Sequence, residues 1–216
     1  MLQGIVVFLG PSLAESEARL ILDASYRPPA ARGDVLRAAR EGAEIICLID
    51  GVFFQECSVA HREVLEAVRE GARVIGASSM GALRAAELDG LGMEGVGEIY
   101  RMYRDGEIVS DDEVALIFDP ETFVQLSEPL VNIRCTLSRA VNESVIDPVS
   151  ASILLDCARS LYFPERTYES VLERAREKLD PSVSEAFSRF IDRGRVDQKR
   201  EDAILALRRV RAIAGI

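Results

Sequence analysis

The stretch RVIGASSMGALRAAEL, residues 73–88, passes from a β-branched run through a turn of small residues into a helical pattern. Residues 73–77 read as a strand and 80–88 as the helix that follows it at once. The same hand-over occurs upstream. GIVVFLG (4–10) runs into SLAESEARLILDA (12–24), and EIICLID (44–50) precedes SVAHREVLEAVREG (58–71). A loop, RPPAARGD (27–34), and a short helix over 34–42 lie between them. Three apolar runs, each joined to the next by a helix, predict a parallel sheet with helices on both faces.

Beyond the third strand, residues 93–105 read as helical and EVALIF (113–118) as a fourth strand. From there the pattern turns helical over 130–146, 148–160, 165–179, 182–192 and 197–213. Pro129, Pro148, Pro164 and Pro181 punctuate these segments. The predicted architecture is an α/β domain over residues 1–135, followed by an all-helical part over 136–216.

The chain has 216 residues, 48% hydrophobic and 29% charged, enough for one α/β core with a small appendage. A net charge of −10 repels a phosphate backbone, so nucleic acid is not the expected partner. No apolar run approaches the roughly 20 residues that cross a bilayer, so no membrane partner is expected. With no leader pattern ahead of the first strand, the expected setting is cytoplasmic, with reduced thiols. Cys47, Cys57, Cys135 and Cys157 form no CxxC pair, which leaves a zinc cluster without support. No metal and no cofactor are expected. Cys47 lies in an apolar run and reads as a buried thiol.

In a parallel sheet, ligands bind beyond the carboxyl ends of the strands. The loops leaving those ends are Gly10-Pro11-Ser12, Asp50-Gly51-Val52-Phe53 and Ala77-Ser78-Ser79-Met80-Gly81. The third is close to a nucleophile elbow, G-x-S-x-G, with Ala77 in place of the first glycine. That pattern nominates Ser79 as nucleophile, at a helix start whose free N–H groups attract an oxyanion. Its base would be His61, the one histidine, with Asp50 to orient it and Asp111 or Asp112 as rivals. Met80 N–H and a backbone N–H from Gly10 or Gly51 would form the oxyanion pocket. Plainer readings compete. Ser78 is a good helix cap, His61 fits a polar first turn, and Arg84 with Glu87 fits a surface pair. Asp111-Asp112-Glu113 reads as a solvated acidic turn rather than a cation site.

Seven segments, in order, carry a resemblance. They are VVFLGPSL, YRPPAARGDVLRA, LIDGVF, ASSMGALRAAEL, GMEGVGEIYRMYRDG, DDEVA and SEPLVNIR, between about residues 5 and 135. Together they resemble the TfuA-like core domain family. The resemblance implies a protein that acts beside a YcaO-family enzyme in peptide backbone thioamidation. It also implies hydrolysis of a thiocarboxylated, ThiS-like carrier protein to release sulfide. That is acyl transfer, so the elbow chemistry and the implied role agree. On this reading Ser12, Ser78, Arg32, Arg84 and Arg134 are candidates for holding the carrier's tail.

Three other readings are kept. A noncatalytic adaptor would bind the YcaO enzyme and its peptide. A sulfur relay would use Cys57, in the loop after the second strand. A nucleotide-binding protein is disfavoured, because neither GxxxxGKS nor GxGxxG is present.

Overall fold

The computed structural model describes residues 4–53 and 57–216. Its strands are β1 (Ile5–Phe8), β2 (Ser25–Arg27), β3 (Ile45–Leu48), β4 (Arg73–Ala77) and β5 (Met93–Val96). Its helices are α1 (Glu15–Ile21), α2 (Asp34–Arg40), α3 (His61–Arg69), α4 (Met80–Glu87), α5 (Glu98–Arg104), α6 (Leu130–Asn142), α7 (Pro148–Arg159), α8 (Tyr168–Ala175), α9 (Pro181–Gly194) and α10 (Gln198–Ala214). The chain divides into two compact units, Met1–Asp111 with Lys199–Ile216, and Asp112–Gln198.

The first unit is built on a five-stranded sheet of order β2-β1-β3-β4-β5. Every pair is parallel, with Val6 opposite Ser25 and Ile46, Ile46 opposite Val74, and Val74 opposite Met93. Side chains alternate across the strands, so one strand feeds two cores. Val6, Phe8, Ile46, Leu48 and Val74 join apolar residues of α2, α3 and α4 on one face. Ile5, Val7, Ile45, Cys47 and Ile75 join Ala18 of α1 and Ala203, Ala206, Leu207 and Val210 of α10 on the other. The sheet with helices on both faces is the predicted one.

Several elements differ from the sequence reading. Ser25–Arg27, of which the sequence reading assigned only Arg27, to a loop, is the edge strand β2. Residues 93–105 are not one helix: Met93–Val96 pairs with β4, and α5 starts only after Gly97. Gly95 and Gly97 explain the break, since glycine weakens a helix. No strand forms over 113–118. Val114, Ala115 and Leu116 are buried as their apolarity demands, but only Phe118 makes a bridge, an isolated antiparallel one to Gln125. The division of the chain also differs from 1–135 and 136–216, because α10 belongs to the sheet unit. Its stripe at i, i+3, i+4 and i+7 fits a bundle as well as a sheet, so periodicity alone did not assign it. Leu207 and Val210 are fully buried there, worth roughly 2 kcal/mol each.

Two close approaches hold this unit together. A Cβ on Gly81 would overlap the Leu48 carbonyl oxygen, so α4 starts in direct contact with the β3 backbone. Gly81 N–H also donates to the Ile49 carbonyl at 3.2 Å. On the far side, Asp202 of α10 caps α5. Its carboxylate accepts from Glu98 N–H at 3.0 Å and Ile99 N–H at 2.7 Å. Gly97, the residue before α5, has no side chain to do this, and one would collide with Asp202.

The second unit is helical. Leu130, Ile133, Leu137, Leu154, Val171, Phe187 and Phe190 form the core between α6, α7, α8 and α9. Three of its helices, α6, α7 and α9, start at or just after the predicted Pro129, Pro148 and Pro181, whereas α8 starts at Tyr168 behind a Thr167 cap, beyond Pro164. Asp147 accepts from Val149 and Ser150 N–H ahead of Pro148, and Asp180 from Ser182 N–H ahead of Pro181. Arg166 is fully buried. It donates to the carbonyls of Ala158, Leu161 and Asp112 at 3.1, 3.2 and 3.3 Å and to the Asp112 carboxylate at 2.6 Å, so the buried charge is both paired and hydrogen-bonded.

Gly81→Ala should destabilise the protein by about 3 kcal/mol, because the overlapping atom is backbone and cannot yield. Asp202→Ala should cost about 2 kcal/mol by exposing the start of α5. Urea unfolding of both variants checks these values.

Candidate functional site

Ser12, Asp50 and Ser78 leave the carboxyl ends of β1, β3 and β4, three adjacent strands. Strand order reverses between β1 and β3, so Ser12 and Asp50 flank the topological switch point. The Asp50 carboxylate is 2% exposed and satisfied from the β1 loop. Oδ2 accepts Gly10 N–H at 2.9 Å and Ser12 N–H at 3.1 Å, and Oδ1 accepts the Ser12 hydroxyl at 2.7 Å. The Ser78 hydroxyl donates to Ser12 Oγ at 2.9 Å. The result is a continuous chain, Ser78 to Ser12 to Asp50, in a dry setting.

The backbone singles out Ser78. Its φ is 66°, left-handed for a residue with a Cβ. Ser79 N–H donates to the Ala77 carbonyl at 2.8 Å, closing a γ-turn about Ser78. Such strain costs of order 1–3 kcal/mol and clusters at functional positions. Ser79 is the residue before α4, with φ −112°, and its side chain makes no cap hydrogen bond. The elbow spacing nominated Ser79, whereas the left-handed backbone and the buried hydroxyl chain belong to Ser78. The helix-cap reading of Ser78 also fails, since its hydroxyl goes to Ser12.

The expected Ser79–His61–Asp50 arrangement is not assembled. The first turn of α3 carries His61 outward, where its Nε2 lies 2.8 Å from Glu87 Oε2. Asp50 is already filled by Gly10 and Ser12, and among the described residues no hydrogen bond joins His61 to Ser79 or Asp50. Gly10 drops out as an oxyanion donor for the same reason. The Gly51 and Met80 N–H groups make no such bond among the described residues and stay available. Gly51 has to be small, since a Cβ there would press on the Met80 side chain and the Ala30 carbonyl.

Met80 and His61 line a cleft of about 340 Å³ with Phe53, Leu83, Arg84 and Val109. Arg84 is tied down in it, donating to the Val59 carbonyl at 2.6 Å and pairing with Glu87. Arg32 reaches the Ser58 carbonyl at 3.5 Å from an exposed loop. Arg134 belongs to the helical unit and pairs with Glu113 at 2.5 Å. Asp112 serves Arg166 there, and Asp111 lines the cleft.

The cysteines divide by burial. Burial pushes the Cys47 thiol up to about 12, so it stays protonated. Cys157 is also buried, whereas Cys57 is exposed. Among the described residues no group of three His, Cys, Asp or Glu side chains could hold a metal ion. No described helix is long and apolar enough to cross a membrane.

Sequence reading named Ser12 only as a tail contact and did not see it bridging Ser78 and Asp50. The signal was a serine placed after β1 just as Asp50 is placed after β3. Glu63 was also missed. It takes Gly33 N–H and Ala60 N–H, both at 2.7 Å, and so ties the start of α2 to the start of α3.

No curated protein matches the chain. A family model described as TfuA-like protein matches residues 50–167, more than half of the chain. The match takes in Asp50 and the Ser78 turn and runs on past residue 135 into the helical unit. The chain belongs to the family of TfuA-like proteins.

Proposed function

We propose that the protein hydrolyses the C-terminal thiocarboxylate of a ThiS-like carrier and supplies sulfide to a YcaO-family enzyme for peptide thioamidation. Family membership supports the association with a YcaO-type partner. The observation that carries the hydrolytic part is Ser78, strained at φ 66° with its hydroxyl entering the chain to Asp50.

Ser78 Oγ attacks the thiocarboxylate carbon. Its proton passes to Ser12 Oγ as the Ser12 proton passes to Asp50. The Met80 and Gly51 N–H groups stabilise the oxyanion. The C–S bond then breaks, and sulfur takes that proton and leaves as hydrosulfide. Water adds to the acyl-Ser78 ester and restores the serine. The products are a carboxylate and one proton, which the hydrosulfide accepts. The cleft that Met80 lines receives the carrier's tail, with His61 and Arg84 along it.

A second reading has its own observation. Ser12, Asp50 and Ser78 are at most 2% exposed, which suits a fastening of three loops in a noncatalytic adaptor. Sulfide release from a thiocarboxylated ThiS-like carrier separates the two. Under hydrolysis, Ser78→Ala and Ser12→Ala lose at least ~100-fold in rate, while Ser79→Ala stays within about threefold. Equal release by all variants rejects Ser78 as the nucleophile, whereas no release even by the wild type, with thioamidation by the YcaO enzyme intact, rejects hydrolysis and leaves the adaptor.

The sulfur-relay reading makes a separate prediction. Iodoacetamide at pH 8 should label Cys57 first and reach Cys47 only after unfolding, because a thiol titrating near 12 supplies almost no thiolate there. Cys57→Ser should keep full sulfide release, and its loss would favour the relay.

A further inference from the structure

The helical unit contains a second cleft, of about 460 Å³, that the proposed hydrolysis does not use. Glu128, Glu169 and Asp192 line it against a single cation, Arg195. Glu128 is 9% exposed. Its two oxygens differ: Oε1 pairs with Arg195, while Oε2 is buried and has no hydrogen-bond partner. Leaving one buried carboxylate oxygen unpaired is costly, and native structures rarely do it without a reason. Burial holds the Glu128 carboxyl above the ordinary range. Arg195 opposes that shift, and Asp197 and Glu169 add to it.

Arg195 does not close the account. It follows the end of α9, and its side chain is 47% exposed. Its guanidinium lies 5.6 Å from the centre of the Tyr168 ring. Leu126, 56% exposed, supplies an apolar wall. The cleft therefore offers three carboxylates around a short apolar passage, with one half-exposed cation over the deepest of them.

We infer that this cleft binds a primary alkylammonium, whose –NH3+ donates to both oxygens of Glu128 in place of Arg195 while its methylene stem lies along Leu126 and Tyr168. An ammonium has three donors on a compact head, so it satisfies Oε2 where the half-exposed guanidinium reaches only Oε1. Glu169 and Asp192 favour a cation at the mouth. A lysine side chain and a free diamine share this chemistry.

The test is a ¹H–¹⁵N shift titration of the full chain with Nα-acetyl-lysine amide, 1,5-diaminopentane and the uncharged control Nα-acetyl-norleucine amide. Saturable shifts at residues 126–128 and 168–169 with either amine, and none with the control, support the site. Binding by the lysine derivative points to a protein or peptide source, and binding by the diamine alone to a free amine. Glu128→Gln, which removes a buried charge and should fold at least as well, should weaken binding at least tenfold. Arg195→Ala removes the competitor and should tighten it. No shifts with either amine, equal shifts with the control, or unchanged affinity in Glu128→Gln would overturn the proposal. Weaker binding in Arg195→Ala would overturn the displacement.

Discussion

A carboxylate cut off from water must be hydrogen-bonded from within, and Asp50 meets that demand at the most consequential point of the sheet. It stands at the end of β3, beside the place where strand order reverses, and draws the β1 loop over itself through Gly10 and Ser12. Ser12, held at its amide and its hydroxyl, is thereby fixed as the acceptor for Ser78. Three loops from three strands thus share one register. Take away the charge and no other group in that set orders them.

The turn about Ser78 depends on the same economy of space. A γ-turn with positive φ is tolerable only where its surroundings allow no alternative. Here α4 starts directly on the β3 backbone, with Gly81 against the Leu48 carbonyl and Ser79 N–H closing back on Ala77. The helix cannot back away to relax the turn. Strain and contact are two sides of one arrangement, in which the hydroxyl is aimed by the backbone rather than by rotamer choice.

The parallel sheet was legible in the sequence because its central strands, such as IICL (45–48), are apolar on both faces and lead to helices. The edge strands were not. SYR and MEGV are half-buried and lack the apolar run, so only their pairing to a neighbour defines them. EVALIF erred in the other direction, with buried side chains and no strand to pair with. At the candidate site, the three loops named in the sequence do meet, but through hydrogen bonds other than those expected. Asp50 and the double serine were visible as strand-end residues. Which serine takes the left-handed backbone is a matter of φ, and which way His61 faces depends on where the first turn of α3 falls. Neither is written in spacing. Asp202 capping α5 from 104 residues away leaves no local trace except an uncapped glycine start.

The return of α10 to the sheet has a consequence for how the chain is made. One face of the sheet is covered by α1 and by residues 203–210, and these are separated by the whole of the helical unit. During synthesis the strands emerge first, with that face still open. The helical unit follows, carrying its own core, and is free to fold in the interval. Only when the last turns of α10 clear the ribosome can Ala203, Ala206, Leu207 and Val210 close the open face and Asp202 secure α5. The face opened by the early strands stays uncovered until residues 203–210 arrive, so a chain cut short before them leaves that apolar surface exposed to water.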